Sequence, residues 1–300
     1  PAEWQGKRLF LRFKGVNTVA NVFINGKHTA EHRGGYTAFT VDITDRVKYG
    51  EKNKIMVRVN NALQLDIMPL LGDFNMYGGI YRDVDLIITD PEHVSMEDYG
   101  SNGIYLKQTN VSKDAAHVDA KIMVKGTAGS KPVVSLKIID DKKNVVARQE
   151  AVAEIDAQGN GMVVLPLDVK KPRLWNGVKD PYRYDVEVAV SKDGKVTDLV
   201  TDKIGFRYFH VDPDQGFFLN GEHLQLRGVC RHQDRAEIGN ALAPLHHDDD
   251  MQIMREMGMP FAWHITRRIN IFMTCATNTD WWFGRRFRLS APAVTGIKGL

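Results

Sequence analysis

Alternation at period two governs this chain from Lys7 to Arg207. In "KRLFLRFKGV", Leu9, Leu11 and Phe13 share one face, while Arg8, Arg12 and Lys14 interrupt the other. Successive side chains of a strand point to opposite faces, so such runs predict half-buried strands. "NVFINGKHTAEH" holds Asn25-Gly26 between two strand-like runs. Both turn residues accept positive φ, which predicts a hairpin there. "KNKIMVRVNN" and "GGIYRDVDLIITD" each read as one further strand, and Asp90-Pro91 closes the second as a turn and a first domain boundary. Six more alternating runs follow, from "HVDAKIMVKG" to "KVTDLVTDKIGFR", divided by Gly, Asp, Asn and Lys clusters with no helix between them. Strands so spaced predict a small antiparallel sandwich.

The pattern changes after Arg207. "GFFLNGEHLQLRGV" predicts a hairpin around Asn220-Gly221 that feeds an apolar strand. In "HHDDDMQIMREMG", Ile253, Met254 and Met257 fall at helical spacing with Met251 close by. Asp248 to Asp250 are expected at the N-cap and first turn, where carboxylates oppose the helix dipole. Strand, loop and helix in that order open an α/β domain, and too little chain follows to finish one.

At 300 residues the chain has room for two domains or three small ones. A net charge of +3 is too small to argue for nucleic acid, and it is unevenly placed. The last forty residues hold Arg267, Arg268, Arg285, Arg286, Arg288 and Lys298 against one acid, Asp280. Cys230 and Cys275 lie far apart and form neither a metal spacing nor a disulfide framework. No apolar run is long enough to span a membrane. The chain starts at Pro1 with no initiator Met or signal peptide, so a processed product or a fragment is expected. Compartment stays open between bacterial periplasm and cytoplasm.

Four groups of residues have both a chemical and a structural reading. "HHDDD" has metal-ligand chemistry, but adjacent residues rarely converge on one centre, and capping accounts for the acids. His232, in "RGVCRHQDR", directly follows a strand. It is either a hydrogen-bonded loop histidine or a site residue at the carboxyl end of a barrel strand. Cys230 precedes Arg231 and His232, yet spacing identifies no orienting acid, which favours a buried structural thiol. Trp175, Tyr182 and Tyr184 are candidate sugar-stacking aromatics, though at strand starts such residues more often anchor cores.

"VFINGKHTAEHRGGYTAFTVDITDRV" followed by "NMYGGIYRDVDLI" resembles the amino-terminal sandwich of glycoside hydrolase family 2. "PRLWNGVKDPYRYDVEV" and "KIGFRYF" resemble its immunoglobulin-like domain. "FFLNGEHLQLRGVCRHQDRAEIGNAL" and "HHDDDMQIMREMG" resemble the entry to its catalytic (β/α)8 barrel. The matches are in order and span most of Lys7 to Gly258. The resemblance implies a mainly β chain in three parts. Residues 1–91 would be a jelly-roll-like sugar-binding sandwich lacking its first strands. Residues 92–207 would be an immunoglobulin-like sandwich, and 208–258 the start of a TIM barrel. "RGVCRHQD" is similar to the galactosidase branch, with Cys230 in place of the commoner Asn and Gln233 in place of the commoner acid.

That resemblance implies hydrolysis of terminal β-galactosides or related β-glycosides. Asp73, in "LLGDFNMYGGIYRDV", matches an acid that binds sugar hydroxyls, and His232 matches a histidine that holds the sugar ring. Both suit hydroxyl recognition, which uses polar groups left unpaired by a wrong sugar. Retaining glycosidases also need a carboxylate pair about 5 Å apart. In the family those glutamates lie on later barrel strands, so this chain is expected to lack catalytic residues and turnover. No cofactor is expected in this chain, although family galactosidases use magnesium and sodium. The expected partner is an oligosaccharide or β-galactoside, not nucleic acid or membrane, and homo-oligomerisation stays open.

Residues 259–300 break the resemblance. Joining the last base of each codon to the first two of the next fixes several residues whatever the synonymous choice. Met259-Pro260 yields Ala, Trp263-His264 yields Ala, Met273-Thr274 yields Asp, and Asp280 through Phe283 yields Leu-Val-Val. Each is the family residue at that place, so the segment reads as an out-of-frame tail. The alternatives come from other classes: a basic-aromatic membrane or nucleic-acid binder, or a non-catalytic carbohydrate-binding or structural sandwich pair.

Overall fold

The computed structural model describes residues 1–67, 75–177, 179–226, 228–258 and 261–264. The amino-terminal part contributes β1 (Arg8–Phe13), β2 (Val16–Asn17), β3 (Val19–Ile24), β4 (Lys27–Arg33), β5 (Phe39–Asp42), β6 (Ile55–Asn60), β7 (Gly79–Ile80) and β8 (Val84–Thr89). Two antiparallel sheets, β5-β1-β8 and β4-β3-β6, face each other. Leu9, Leu11 and Phe13 of β1 pack with Ala20, Val22 and Ile24 of β3, as the alternation requires. Asn25 (φ 51°) and Gly26 (φ 82°) form the β3–β4 turn. "GGIYRDVDLIITD" is not one strand. It divides into β7 and β8 because Tyr81 and Arg82 turn inward between them. The Tyr81 hydroxyl donates to the Gly35 carbonyl at 2.7 Å, and the Arg82 guanidinium donates to the carbonyls of Lys14 and Tyr36 at 3.3 Å. Burial pushes the Tyr81 phenol up to about 12.

After Asp90-Pro91 come β9 (His93–Val94), β10 (Ile104–Thr109), β11 (Ala115–Lys125), β12 (Val133–Ile139), β13 (Val145–Val152), β14 (Asn160–Lys170), β15 (Tyr184–Lys192) and β16 (Lys195–Ile204). They form sheets β10-β11-β14, with β9 on β11, and β13-β12-β15-β16. Every pairing is antiparallel. Val118, Ala120 and Ile122 meet Leu136, Ile138, Val186 and Val188 in one core closed by Phe206. The mainly β expectation holds in both sandwiches. His93 packs on Phe10 of β1 with ring centroids 5.4 Å apart, joining the second sandwich to the outer face of the first.

Next, β17 (Phe209–Asp212), β18 (Gly216–Leu219) and β19 (Glu222–His223) form a small sheet. Its β18–β19 turn uses Asn220 (φ 51°) and Gly221 (φ 84°). Trp175 is buried against Phe217 and Leu219 and anchors this sheet to the second sandwich. β20 (Gly228–Arg231), α1 (Pro244–Glu256) and β21 (Phe261–His264) follow, and β20 and β21 pair in parallel from Gly228↔Phe261 to Arg231↔His264. The sequence predicts one strand and one helix here. A second strand lies inside the segment assigned to the tail, because a chain leaving a helix can return beside the strand before it. Residues 259–260 and 265–300, the rest of that segment, lie outside the described residues.

Helix α1 also starts earlier than expected. Ala243 is its N-cap and Pro244 opens it, with the Ala243 N–H donating to His246 Nδ1 at 3.0 Å. Proline suits that position because its missing N–H would have no helical partner there. Asp248–Asp250 therefore sit inside the helix, not at its cap, and no acid occupies the first turn. His247, Met251 and Met254 form the buried stripe, whereas Ile253 and Met257 are exposed.

Candidate functional site

The carboxyl end of β20 gathers charge from elements far apart in sequence. Arg231, the last residue of the strand, is buried, and its Nε donates to Asp250 Oδ2 on α1 at 2.7 Å. Asp250 Oδ1 accepts from Arg235 Nη2 at 2.7 Å, and Arg235 also reaches Asp249 at 3.2 Å and the His246 carbonyl at 3.0 Å. Two arginines four residues apart are thus tied to one carboxylate. Burial alone would raise the Asp250 carboxyl, but hydrogen bonds from Arg235 and Arg231 outweigh it and hold the carboxyl below its ordinary range. Burial lowers the Arg231 guanidinium, with Asp250 opposing the shift.

His247 completes this layer. Its Nδ1 accepts from Arg231 Nη2 at 3.3 Å. Burial, then the charge on Arg231, pushes the imidazole down to about 4, with Arg82 of the first sandwich adding to the shift. The ring is therefore neutral near neutral pH, with its proton on Nε2.

His232 lies in the loop between the two tethered arginines and is exposed. Pinning Arg231 and Arg235 to α1 limits how far this loop can move. Asp73 lies outside the described residues. Tyr77, among the described residues, has its ring against Gly239. A Cβ built on Gly239 would come within 2.9 Å of that ring. Tyr77 lines a cleft of about 460 Å³ with Asp234, Arg235, Ala236, Glu237 and Gly239. The first sandwich thus meets the loop after β20 directly. Gln233 Oε1 is enclosed with no hydrogen-bond partner among the described residues. An unpaired amide oxygen is costly there, and an ionised carboxylate would be costlier.

Tyr77, Arg231, Arg235, His247 and Asp250 are not among the site residues that the sequence predicts. The one legible signal was the pair of arginines four residues apart ahead of an acidic run. Tyr184 is buried and its hydroxyl accepts from the Arg173 N–H at 2.9 Å, while Tyr182 holds Asp141. The aromatics of this region serve the core and its edge. Among the described residues no three His, Cys, Asp or Glu side chains are gathered to hold a metal ion. No described helix is long and apolar enough to cross a membrane.

Comparison with known proteins gives this arrangement a family. The model for Glycosyl hydrolases family 2, sugar binding domain, matches residues 1–91, and that for Glycosyl hydrolases family 2 matches residues 103–207. The chain belongs to glycosyl hydrolase family 2. It is 55% identical over 257 residues to a β-glucuronidase of Bacteroides fragilis, covering 86% of this chain and 37% of that protein. It is 32% identical to a β-galactosidase of Thermoanaerobacter pseudethanolicus, covering 86% of this chain and 34% of the relative. A crystal structure of a putative β-galactosidase from Bacteroides fragilis superposes with a TM-score of 0.90 at 34% identity, covering 94% of this chain and 43% of the other. A Bacteroides uniformis β-glucuronidase superposes with a TM-score of 0.89 at 32% identity, covering 94% and 34%. The chain thus spans about a third of the length of these curated relatives.

Proposed function

We propose that this chain is the substrate-side front of a retaining β-glycosidase that acts on terminal β-glucuronides or β-galactosides. The supporting observation is the contact of Tyr77 with Gly239, where a sugar-binding sandwich meets the loop that bears His232. The relative named β-glucuronidase at 55% identity favours the glucuronide, and the "RGVCRHQD" run favours the galactoside. Asp73 and His232 are proposed to hydrogen-bond sugar hydroxyls. The carboxylate pair that forms and breaks the glycosyl–enzyme bond is assigned to barrel strands beyond this chain.

The codon test supports a second part of the reading, that Met259–Leu300 is out of frame. Sequencing the coding DNA through the Gly258 codon tests it, and an uninterrupted frame would refute it.

This chain alone is expected to release no chromophore from aryl β-glucuronides or aryl β-galactosides. In an enzyme completed with the in-frame barrel, Asp73→Ala and His232→Ala should each lower kcat/KM. A loss of several kcal/mol of transition-state stabilisation is the order expected for sugar hydroxyl contacts. Turnover by the pure chain, or unchanged kinetics in both variants, would overturn the reading.

A further inference from the structure

Two glycines separate Tyr77 from the ladder that follows it. Strand β7 begins at Gly79, whose φ of +98° lies in the region that favours glycine, and Gly78 precedes it. β7 pairs with β2 through Val16↔Ile80 and Asn17↔Gly79. Glycine loses more freedom on ordering than any other residue, so a ladder this short, reached through two glycines, holds the Tyr77 main chain weakly. A side chain fixes it instead. Asn17 Nδ2 donates to the Tyr77 carbonyl at 2.7 Å.

Asn17 is built into this position. It is 4% exposed on the first sandwich. Its Oδ1 accepts from the Thr18 hydroxyl at 2.5 Å, which leaves the amide nitrogen to face the Tyr77 carbonyl. A carbonyl oxygen accepts and never donates, so this orientation of the amide is the one that satisfies both ends. Gly35 seats the amide: a Cβ there would lie 2.4 Å from Asn17 Oδ1, so any larger residue would push it away. The Gly35 carbonyl in turn accepts from the buried Tyr81 hydroxyl at 2.7 Å. The line of contacts runs from Tyr81 through Gly35, Asn17 and Tyr77 to Gly239. It joins the interior of the sandwich to the turn after β20 and to the cleft that Tyr77 shares with Asp234 and Glu237.

We infer that Asn17 is a positioning residue of the candidate site, which sets the ring of Tyr77 against the Gly239 turn by holding the Tyr77 carbonyl. That the cleft wall so placed faces a sugar rests on the glycosidase reading; the placement itself does not. The donor is what matters, not the volume. An aspartate of the same shape turns an acceptor toward the Tyr77 carbonyl while ionised, and two acceptors repel. Once protonated, its hydroxyl can donate as the amide does. Burial raises the pKa of a carboxyl, which brings that change into an accessible pH range.

Fluorine NMR of 3-fluorotyrosine placed at residue 77 of the full chain tests this. It reads the surroundings of the ring without a sugar, so failure of the glycosidase reading leaves the test intact. Gly239→Ala should shift this resonance in the otherwise unaltered chain. Asn17→Leu keeps most of the volume and loses the donor. There the resonance should lie where a solvent-exposed ring does, and Gly239→Ala should no longer move it. Asn17→Asp should match Asn17→Leu at about pH 7.5 and return to the resonance of the unaltered chain when both are measured at about pH 5. Asn17→Leu should show no such return. Circular dichroism identifies a variant that fails to fold, and one further measurement needs no variant. In the unaltered chain the Asn17 side-chain amide protons should exchange with solvent about tenfold or more slowly than those of an exposed asparagine. A resonance that ignores Gly239→Ala in the unaltered chain, or that both Asn17 variants leave unchanged, overturns the inference. So does a loss in folded Asn17→Asp that low pH does not reverse, or an Asn17 amide that exchanges at the exposed rate.

Discussion

His247 is held far from its ordinary state by burial and by the charge on Arg231. It is 1% exposed on α1, beside buried Arg231, and its pKa falls from 6.5 to about 4. Between those values the unfolded chain takes up a proton that the folded chain refuses. Its contribution to stability is therefore complete above pH 6.5 and is lost as pH falls toward 4. The loss amounts to on the order of 3 kcal/mol across the window. His247→Gln keeps an acceptor for Arg231 and does not titrate. Urea unfolding of the α1 region at about pH 7 and about pH 5 should show a large drop for the unaltered chain and a smaller one for the variant. Equal drops would show that His247 does not carry the pH dependence.

Among the elements, two loops do the joining. The segment through Tyr77 comes from the first sandwich and the turn at Gly239 from the loop after β20, and they touch where no side chain larger than hydrogen fits. A Cβ at Gly239 would lie 2.9 Å from the Tyr77 ring, and φ there is +56°. Gly239→Ala is expected to cost about 1–2 kcal/mol for the left-handed backbone alone, with the ring clash added. Tyr77→Ala should relieve only the second part. A double-mutant cycle followed by urea unfolding measures it: residues in contact give a coupling of about 0.5–3 kcal/mol, and separated ones do not. Additive costs would mean that the sandwich does not bear on this turn.

At the scale of the whole molecule, stability is unevenly distributed. The second sandwich encloses a two-layer core from Val94 to Phe206, built from strands that all find partners. Among the described residues, the part after it holds the small β17-β18-β19 sheet, the parallel pair β20-β21 and helix α1, and a lone parallel pair leaves strand edges without hydrogen-bond partners. The apolar residues after Gly258 follow no structural period. Limited trypsin digestion should therefore cut first at Arg267, Arg268, Arg285 or Arg286 and leave a resistant core that ends at or beyond Arg207. Protection of those arginines equal to that of the sandwich strands would mark the carboxyl-terminal segment as an evolved element.

Local chemistry made much of this fold readable from sequence. Period-two alternation placed Leu9, Leu11 and Phe13 on one face, and Asn25-Gly26 and Asn220-Gly221 named their turns, because those preferences act within a few residues. The order of motifs indicated the family. Other features depended on which distant groups meet. Asp250 reads locally as a helix cap, yet it lies inside α1, and its carboxylate is held by Arg231 and Arg235, which only the fold brings to it. "GGIYRDVDLIITD" reads as one strand, yet Tyr81 and Arg82 break it to reach partners on other loops. Val84, Leu86 and Ile88 stand in register with buried Leu9, Leu11 and Phe13 and yet are exposed, since burial requires a facing layer that alternation alone does not supply. Pairing energies fall off within a few ångströms in space whatever the separation along the chain, so only the tertiary structure decided these.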